Sequence, residues 1–156
     1  HFLFIGLPYD AQGNELTFLR FLELYREAGI PLFDGGYTWN GSDEVSQKIC
    51  DFGFYLISKE IPEETFSREF NEAKTLIKRP MECSRALEIL CCDYQLRRVL
   101  KRPLLVERGV LCEDRAGSDS RVFIEFNSVG LQVKPVPESL AGSEIGIIPI
   151  RKFFVD

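Results

Sequence analysis

The chain has 156 residues, a formal net charge of −5 and an isoelectric point near 5.1. Its hydrophobic content of 45% is sufficient for the core of a single globular domain. The acidic balance argues against non-specific binding to nucleic acid or to an anionic membrane, and no apolar run approaches the roughly 20 residues of a membrane-spanning helix.

The first part of the chain predicts a strand, a helix and a second strand. Residues 2–5 form a continuous apolar run, which is typical of a strand buried on both faces. Asn14 is a good N-cap for an apolar helix over residues 15–28, and Gly29 is a natural residue to end it. Residues 30–33 give the second strand signal. This order predicts a right-handed βαβ unit with parallel strands.

The middle of the chain continues with helical and strand patterns. A short helix is predicted over residues 44–50 and a strand over residues 54–57. Pro62 suits a helix start, and one apolar helical face follows at Phe66, Phe70, Ala73 and Ile77. A second long helix is predicted over residues 83–100.

The last third of the chain predicts strands without long intervening helices. The strand-like segments are residues 104–106, 110–112, 122–126, 131–136 and 145–150. We therefore predict one α/β domain over residues 1–156. A flavodoxin-like parallel sheet with flanking helices would occupy residues 1–102, and residues 103–156 would form a β-rich extension of the same domain.

The cysteines and the histidine restrict the available chemistry. The five cysteines are an odd number without CxxC spacing, which predicts buried, reduced thiols and a cytoplasmic protein. The single histidine is residue 1. Triads that use histidine and metal sites that use histidine are therefore not expected, and we predict no metal site.

The order of features over about the first 60 residues resembles that of a TIR (Toll/interleukin-1 receptor) domain. The chain opens with HFLFIGLPYD, its first helix ends in EAGI, and SDEVS and FYLIS follow. The matching positions are Gly29, Ile30, Phe33, Asp34, Gly41, Asp43 and Ser58. The resemblance implies a flavodoxin-like fold and an intracellular signalling or immunity (defence) function that acts through protein–protein assembly.

The resemblance also implies a candidate catalytic residue. In relatives that cleave NAD, a glutamate early in the helix after the third strand stabilises the oxocarbenium-like transition state. Glu69 is our choice for this role, and Glu72 is the alternative. The chain lacks the Trp-Cys-x-x-Glu motif of those enzymes. Both acids could equally be exposed helix residues near Arg68 and Lys74. NAD is thus a candidate substrate or ligand, and no cofactor is required.

A loop after the second predicted strand is the second candidate site. It contains the five candidate residues Asp34, Tyr37, Trp39, Gly41 and Asp43. Trp39 or Tyr37 could stack on a ligand ring or anchor a protein contact, and Trp39 could instead fold back on the core. Because the carboxyl ends of parallel strands lie at one edge of a sheet, the loop and Glu69 are expected to face a common cleft.

A basic cluster is the third candidate site. It consists of Arg97, Arg98, Lys101 and Arg102, with Lys78 and Arg79 nearby in the sequence. Such a cluster could contact an acidic or phosphate-bearing partner, or it could be a solvated helix end that the helix dipole favours.

Our leading interpretation is a TIR-like cytoplasmic signalling domain that acts through assembly, with NAD binding or cleavage as an additional activity. The alternatives are an NAD glycohydrolase that uses Glu69, and an unrelated α/β binding module with a β-rich extension. We expect a protein partner or self-association, no nucleic-acid partner and no membrane insertion. A TIR-like sheet requires the first three strands to be parallel and adjacent.

Overall fold

The computed structural model describes residues 1–33, 38–39, 44–127 and 130–154. Two sheets and three helices account for most of the regular structure in these ranges. The elements are β1 (Phe2–Gly6), α1 (Phe18–Glu27), β2 (Leu32–Phe33), β3 (Gly53–Ile57), a 3-10 turn (Glu63–Thr65), α2 (Phe70–Thr75), β4 (Glu82–Cys83), α3 (Ala86–Leu100), β5 (Arg108–Arg115), β6 (Ser120–Phe126), β7 (Leu131–Pro137), β8 (Ile145–Gly146) and β9 (Pro149–Phe154).

The strands form one antiparallel sheet and one mixed sheet. The first sheet has four strands in the order β1-β3-β9-β4, and every neighbouring pair is antiparallel. The second sheet has five strands in the order β2-β7-β6-β5-β8. In the second sheet, β2 is parallel to β7 and β5 is parallel to β8, whereas the central pairs are antiparallel. The prediction of a mixed α/β chain with a strand-rich end is confirmed.

The flavodoxin-like parallel sheet and the βαβ unit are not what the described strands form. β1 is antiparallel to β3, with Phe2 opposite Ile57, and β2 lies in the other sheet beside β7. The reason lies in how β1 is buried. Phe4 is only 5% exposed whereas Leu3 is 65% exposed, so the apolar run belongs to a strand with one buried face. The first three strands are therefore not parallel and adjacent.

Several predicted helices are shorter in the structure. α1 begins at Phe18 because the Thr17 hydroxyl accepts a hydrogen bond from the Arg20 N–H at 3.2 Å. Asn14, the predicted N-cap, instead donates to the Asp10 carboxylate. A helix was predicted over residues 44–50, but residues 44–47 form a turn. A strand was predicted over residues 104–106, but these residues do not form one. α3 begins at Ala86 because the preceding residues pair with β9 as β4.

The main core lies between the two sheets and includes α1 and α3. Phe4 and Tyr55 contribute from the first sheet, and Val122 and Ile124 contribute from β6 of the second. Phe123, between those two β6 residues, points to a second cluster. The members of that second cluster are Phe70, Ala73, Cys83, Leu111, Phe123, Val136 and Ile147. The second sheet is thus packed on both faces, whereas the first sheet is packed on the face that carries Phe4 and Tyr55.

The two predicted parts of the domain are interleaved. The final strand, β9, lies between β3 and β4 in the first sheet, and β2 joins the second sheet. Residues 103–156 thus supply β9, which pairs with β3 in the first sheet.

Candidate interaction surface

The two candidate catalytic glutamates lie at the start of α2. Glu69 is the N-cap residue of this helix and is exposed, without a side-chain capping hydrogen bond. Glu72 forms an ion pair with Arg68. Neither glutamate lines any of five surface grooves formed by the described residues. The structure thus places both acids on an exposed helix surface.

Trp39 packs against the core. It is 9% exposed, its ring meets Phe18 edge-to-face at 4.9 Å, and its Nε1 lies 3.4 Å from the Val133 carbonyl oxygen to which it donates. The other predicted residues of this loop, Asp34, Tyr37, Gly41 and Asp43, lie outside the described residues. A common cleft between this loop and Glu69 stays a prediction.

The residues of the predicted basic cluster have different local contacts. The Arg97 Nε donates to Asp93 Oδ2 at 2.6 Å. The Lys101 Nζ donates to the Arg98 carbonyl at 3.0 Å, at the end of α3. The Arg102 guanidinium instead lies 5.0 Å from the centre of the Phe2 ring. The structure separates the cluster into a buried ion pair, a helix end and a cation beside a groove.

The cysteines form no disulfide. All five thiols are free and buried, as the sequence predicted. Burial raises the pKa of Cys83 to about 12, and burial likewise raises the pKa of Cys112 well above its ordinary value. Thiols in such surroundings are poor nucleophiles near neutral pH.

The feature that the sequence did not predict is the second face of the first sheet. We call it the outer face, and it consists of Leu3, Ile5, Phe54, Leu56, Arg151 and Phe153. The register aligns these residues in two rows across three strands. Leu3 is opposite Leu56, which is opposite Arg151, and Ile5 is opposite Phe54, which is opposite Phe153.

The outer face is apolar and open to solvent. Ile5 is 40% exposed, Phe54 is 43% exposed and Phe153 is 39% exposed. Further exposed apolar side chains continue the pattern beyond the ends of β1 and β3, namely Leu7, Tyr9 and Phe52. Side chains on one face of neighbouring strands are in contact. The outer face is therefore a continuous apolar surface.

The opposite side of the same strands holds the outer face rigidly in place. Phe4 stacks on Tyr55 with ring centres 5.1 Å apart, and the Tyr55 hydroxyl donates to the Asp51 carbonyl at 2.9 Å. At Gly6, an added Cβ would lie 2.4 Å from the same carbonyl oxygen. Glycine there allows β1 to approach the segment before β3 closely.

The charge on the outer face is a single guanidinium. Arg151 is the one charged member of the two rows, and its guanidinium lies 4.6 Å from the centre of the Phe153 ring. An arginine that stacks on an aromatic ring is common at protein interfaces, where Arg, Phe and Tyr are enriched.

A signal for the outer face was present in the sequence. Both β1 and β3 are apolar at consecutive positions and not only at alternate ones. Taken alone, this pattern predicts strands that are buried on both faces of a parallel sheet. In the structure, the same pattern belongs to an antiparallel sheet with one covered face and one open apolar face.

Comparisons with protein-family models, with curated proteins and with solved structures give no significant match. No group of three or more His, Cys, Asp or Glu residues in the described ranges could hold a metal ion. In those same ranges, no helix is long and apolar enough to cross a bilayer.

Proposed function

We propose that this chain is a protein-interaction module that self-associates through its outer face. The single observation that carries the proposal is the alignment of five apolar side chains in two rows across β1, β3 and β9. Monomeric soluble proteins rarely expose contiguous apolar patches above a few hundred Å², and larger patches usually mark interaction sites.

The size of the outer face suits a dimer. Together with the exposed residues at its margins, it presents an area on the order of several hundred Å² per copy, close to the roughly 800 Å² per partner of a standard interface. Burying apolar surface of this size contributes about 25 cal/mol per Å² before the cost of association is counted. Two copies that cover each other would remove both apolar surfaces from water.

The arrangement of side chains on the outer face favours a second copy as the occupant. We place a twofold axis along β3, between two sheets packed face to face. This axis sets β1 of one copy over β9 of the other, so that Leu3 and Ile5 oppose Arg151 and Phe153. Small aliphatic side chains then meet large ones, and the two copies of Arg151 lie at opposite margins.

This proposal retains the assembly role that the TIR resemblance implied, without depending on that family. The described strands lack the parallel order of a TIR sheet. An NAD-cleaving activity at Glu69 stays a prediction, because Glu69 lines none of five surface grooves formed by the described residues.

The proposal is tested with a double variant, Leu3→Thr/Phe54→Thr. Threonine retains strand propensity while removing apolar surface. The matched control is Val99→Thr, because Val99 is an exposed apolar residue on α3 and does not belong to the outer face. Sedimentation velocity from about 1 to 100 µM, a range that covers typical weak dimers, should show a dimer for the wild type and for the control, and a monomer for the double variant.

Two results would contradict the proposal. One is a wild-type chain that stays monomeric at the highest concentration. The other is a double variant that remains dimeric while its circular dichroism spectrum matches the wild type.

A further inference from the structure

A groove beside the first strand combines cations, aromatic rings and strained backbone. We call it the Phe2 groove. It has a volume of about 470 Å³, within the range of roughly 300–1,000 Å³ typical of small-molecule sites. The residues that line it include Phe2, Lys59, Ile61, Phe66, Arg102 and Leu104. It is separate from the outer face, because the Phe2 side chain belongs to the other face of β1.

Two cations of the Phe2 groove are held by an aromatic ring and not by an acid. The Lys59 Nζ and the Arg102 guanidinium each lie 5.0 Å from the centre of the Phe2 ring. Neither side chain forms an ion pair among the described residues. The two positive charges therefore lie no more than twice 5.0 Å apart, beside the same ring.

The walls of the groove are apolar and fixed. Ile61 and Leu104 are buried, and Phe66 also lines the groove, where its ring centre lies 5.5 Å from the Arg108 guanidinium. The Leu104 N–H donates to the buried carboxylate of Asp93 at 2.6 Å. This bond attaches the wall to the core, and a pre-formed wall lowers the entropic cost of binding.

The backbone around the groove is strained. Three non-glycine residues in the described ranges have positive φ, namely Ser67 at 57°, Lys101 at 57° and Glu107 at 52°. Each adjoins a residue that lines the groove. Left-handed conformations of non-glycine residues are costly and cluster at ligand sites. Lys101 is the left-handed cap that ends α3, so the strain at Ser67 and Glu107 is the observation that is independent of the charges.

We propose that the Phe2 groove binds a small organic anion with an apolar body. The carboxylate or phosphate of the ligand would lie between Lys59 and Arg102, and its apolar part would pack against Ile61, Phe66 and Leu104. Glu60 and Glu63 also line the groove and are exposed. They disfavour a ligand with several negative charges, so the preferred ligand carries one anionic head.

The test uses three probes with related aromatic bodies. They are 4-phenylbutyrate as the carboxylate, phenyl phosphate as the phosphate and 4-phenylbutanol as the neutral counterpart of the butyrate. Each is titrated into the ¹⁵N-labelled chain while amide resonances are followed. We expect saturable shifts at Lys59, Ile61 and Leu104 with one or both anions, and none with the alcohol at the same concentration. The better anion identifies the head group.

The variants separate the groove from the rest of the surface. Lys59→Gln/Arg102→Gln should weaken binding of the preferred anion at least about tenfold, which corresponds to ~1.4 kcal/mol. Arg98→Gln is the matched control, because Arg98 is an exposed cation of α3 that does not line the groove. Leu3→Thr/Phe54→Thr should bind the anion like the wild type, which separates this inference from self-association. The inference is overturned by equal affinity for the alcohol, by unchanged affinity in the Lys59/Arg102 variant, or by no saturable shift with either anion.

Discussion

Asp93 is the polar centre of the main core. Its side chain is fully buried and accepts hydrogen bonds from the Tyr25 hydroxyl at 2.7 Å, the Arg97 Nε at 2.6 Å and the Leu104 N–H at 2.6 Å. These donors come from α1, from α3 and from the segment that follows α3. Burial and the nearby Asp93 carboxylate raise the pKa of Tyr25 well above its ordinary value, so this tyrosine stays a donor.

Replacing the Asp93 carboxylate should destabilise the fold strongly. Asp93→Asn keeps the volume but removes the charge opposite Arg97, whose side chain is itself mostly buried. Breaking a buried ion pair typically costs about 3–5 kcal/mol of unfolding free energy. The exposed pair of Arg68 and Glu72 is the control, and Arg68→Gln should cost no more than about 1 kcal/mol. Denaturant melts measure both, and equal small effects would mean that Asp93 is not structurally important.

Glu88 should give the stability a specific pH dependence. It is buried in the first turn of α3, 2.8 Å from the Lys152 Nζ. Burial raises the pKa of Glu88 above its ordinary value of 4.5, although the Lys152 ammonium opposes this. The folded state then holds the Glu88 proton more tightly than the unfolded state. The free energy of unfolding should therefore fall as the pH rises from 4.5 through the folded pKa.

Glu88→Gln provides the measurement of this effect, because glutamine is neutral at every pH. The stability of the variant relative to the wild type should increase across that pH window in denaturant melts. Glu82→Gln is the control, because Glu82 is an exposed acid 3.7 Å from the same lysine. If the free energy of unfolding of the wild type instead rose relative to that of Glu88→Gln as the pH increases across this window, the result would contradict a raised pKa of Glu88.

The first helix is the element whose role the sequence predicted best. α1 buries Phe18, Phe21, Leu22 and Tyr25 against the core. Leu22→Ala should therefore cost about 2–5 kcal/mol, as core leucines generally do. Glu23→Ala, next to it but exposed, should change stability by no more than about 0.5 kcal/mol. A Leu22→Ala change as small as that of the control would show that α1 does not pack in the core.

Helices and strands were predictable where the pattern is local, and sheet membership was not. The apolar periodicity of α1 and α3 and the apolar run in β6 are properties of neighbouring residues. The pairing of β3 with β9 joins segments about 100 residues apart in the chain, and no local pattern specifies it. The apolar sequence of β1 is compatible with burial on both faces, and it does not show that one face is open to solvent. The prediction of a parallel sheet was wrong for this reason, and the outer face was not predicted for the same reason.

The same distinction between local pattern and long-range packing applies to the candidate sites. The sequence identified Arg102 as a notable cation, but its counterpart Lys59 is distant in the chain and reaches the same ring only through the fold. Trp39 was notable as the single tryptophan, and its contact with Phe18 depends on how the chain returns to α1. The sequence identifies conspicuous residues, whereas tertiary packing determines which residues contact them in space.

At the scale of the whole molecule, the main core joins both sheets. Phe4 and Tyr55 of the first sheet and Ile124 and Val133 of the second belong to one buried cluster. The chain crosses between the sheets more than once. β2 lies in the second sheet although β1 and β3 belong to the first, and β9 lies in the first sheet although β8 belongs to the second. Neither sheet can lose its packing without exposing the other, so unfolding should be a single cooperative transition.

The last prediction combines this cooperativity with self-association. If the wild type is a dimer, unfolding is linked to dissociation, and each tenfold rise in concentration should add about 1.4 kcal/mol to the free energy of unfolding per dimer. Leu3→Thr/Phe54→Thr should retain one transition whose midpoint does not depend on concentration. Trp39 fluorescence reports on the contact with β7, and hydrogen exchange at β1 and β3 reports on the first sheet. Coincident transitions for both probes are expected, because the two sheets share one core. Separate transitions would show that each sheet folds by itself, and a wild-type midpoint that is independent of concentration would show that the outer face does not bind a second copy.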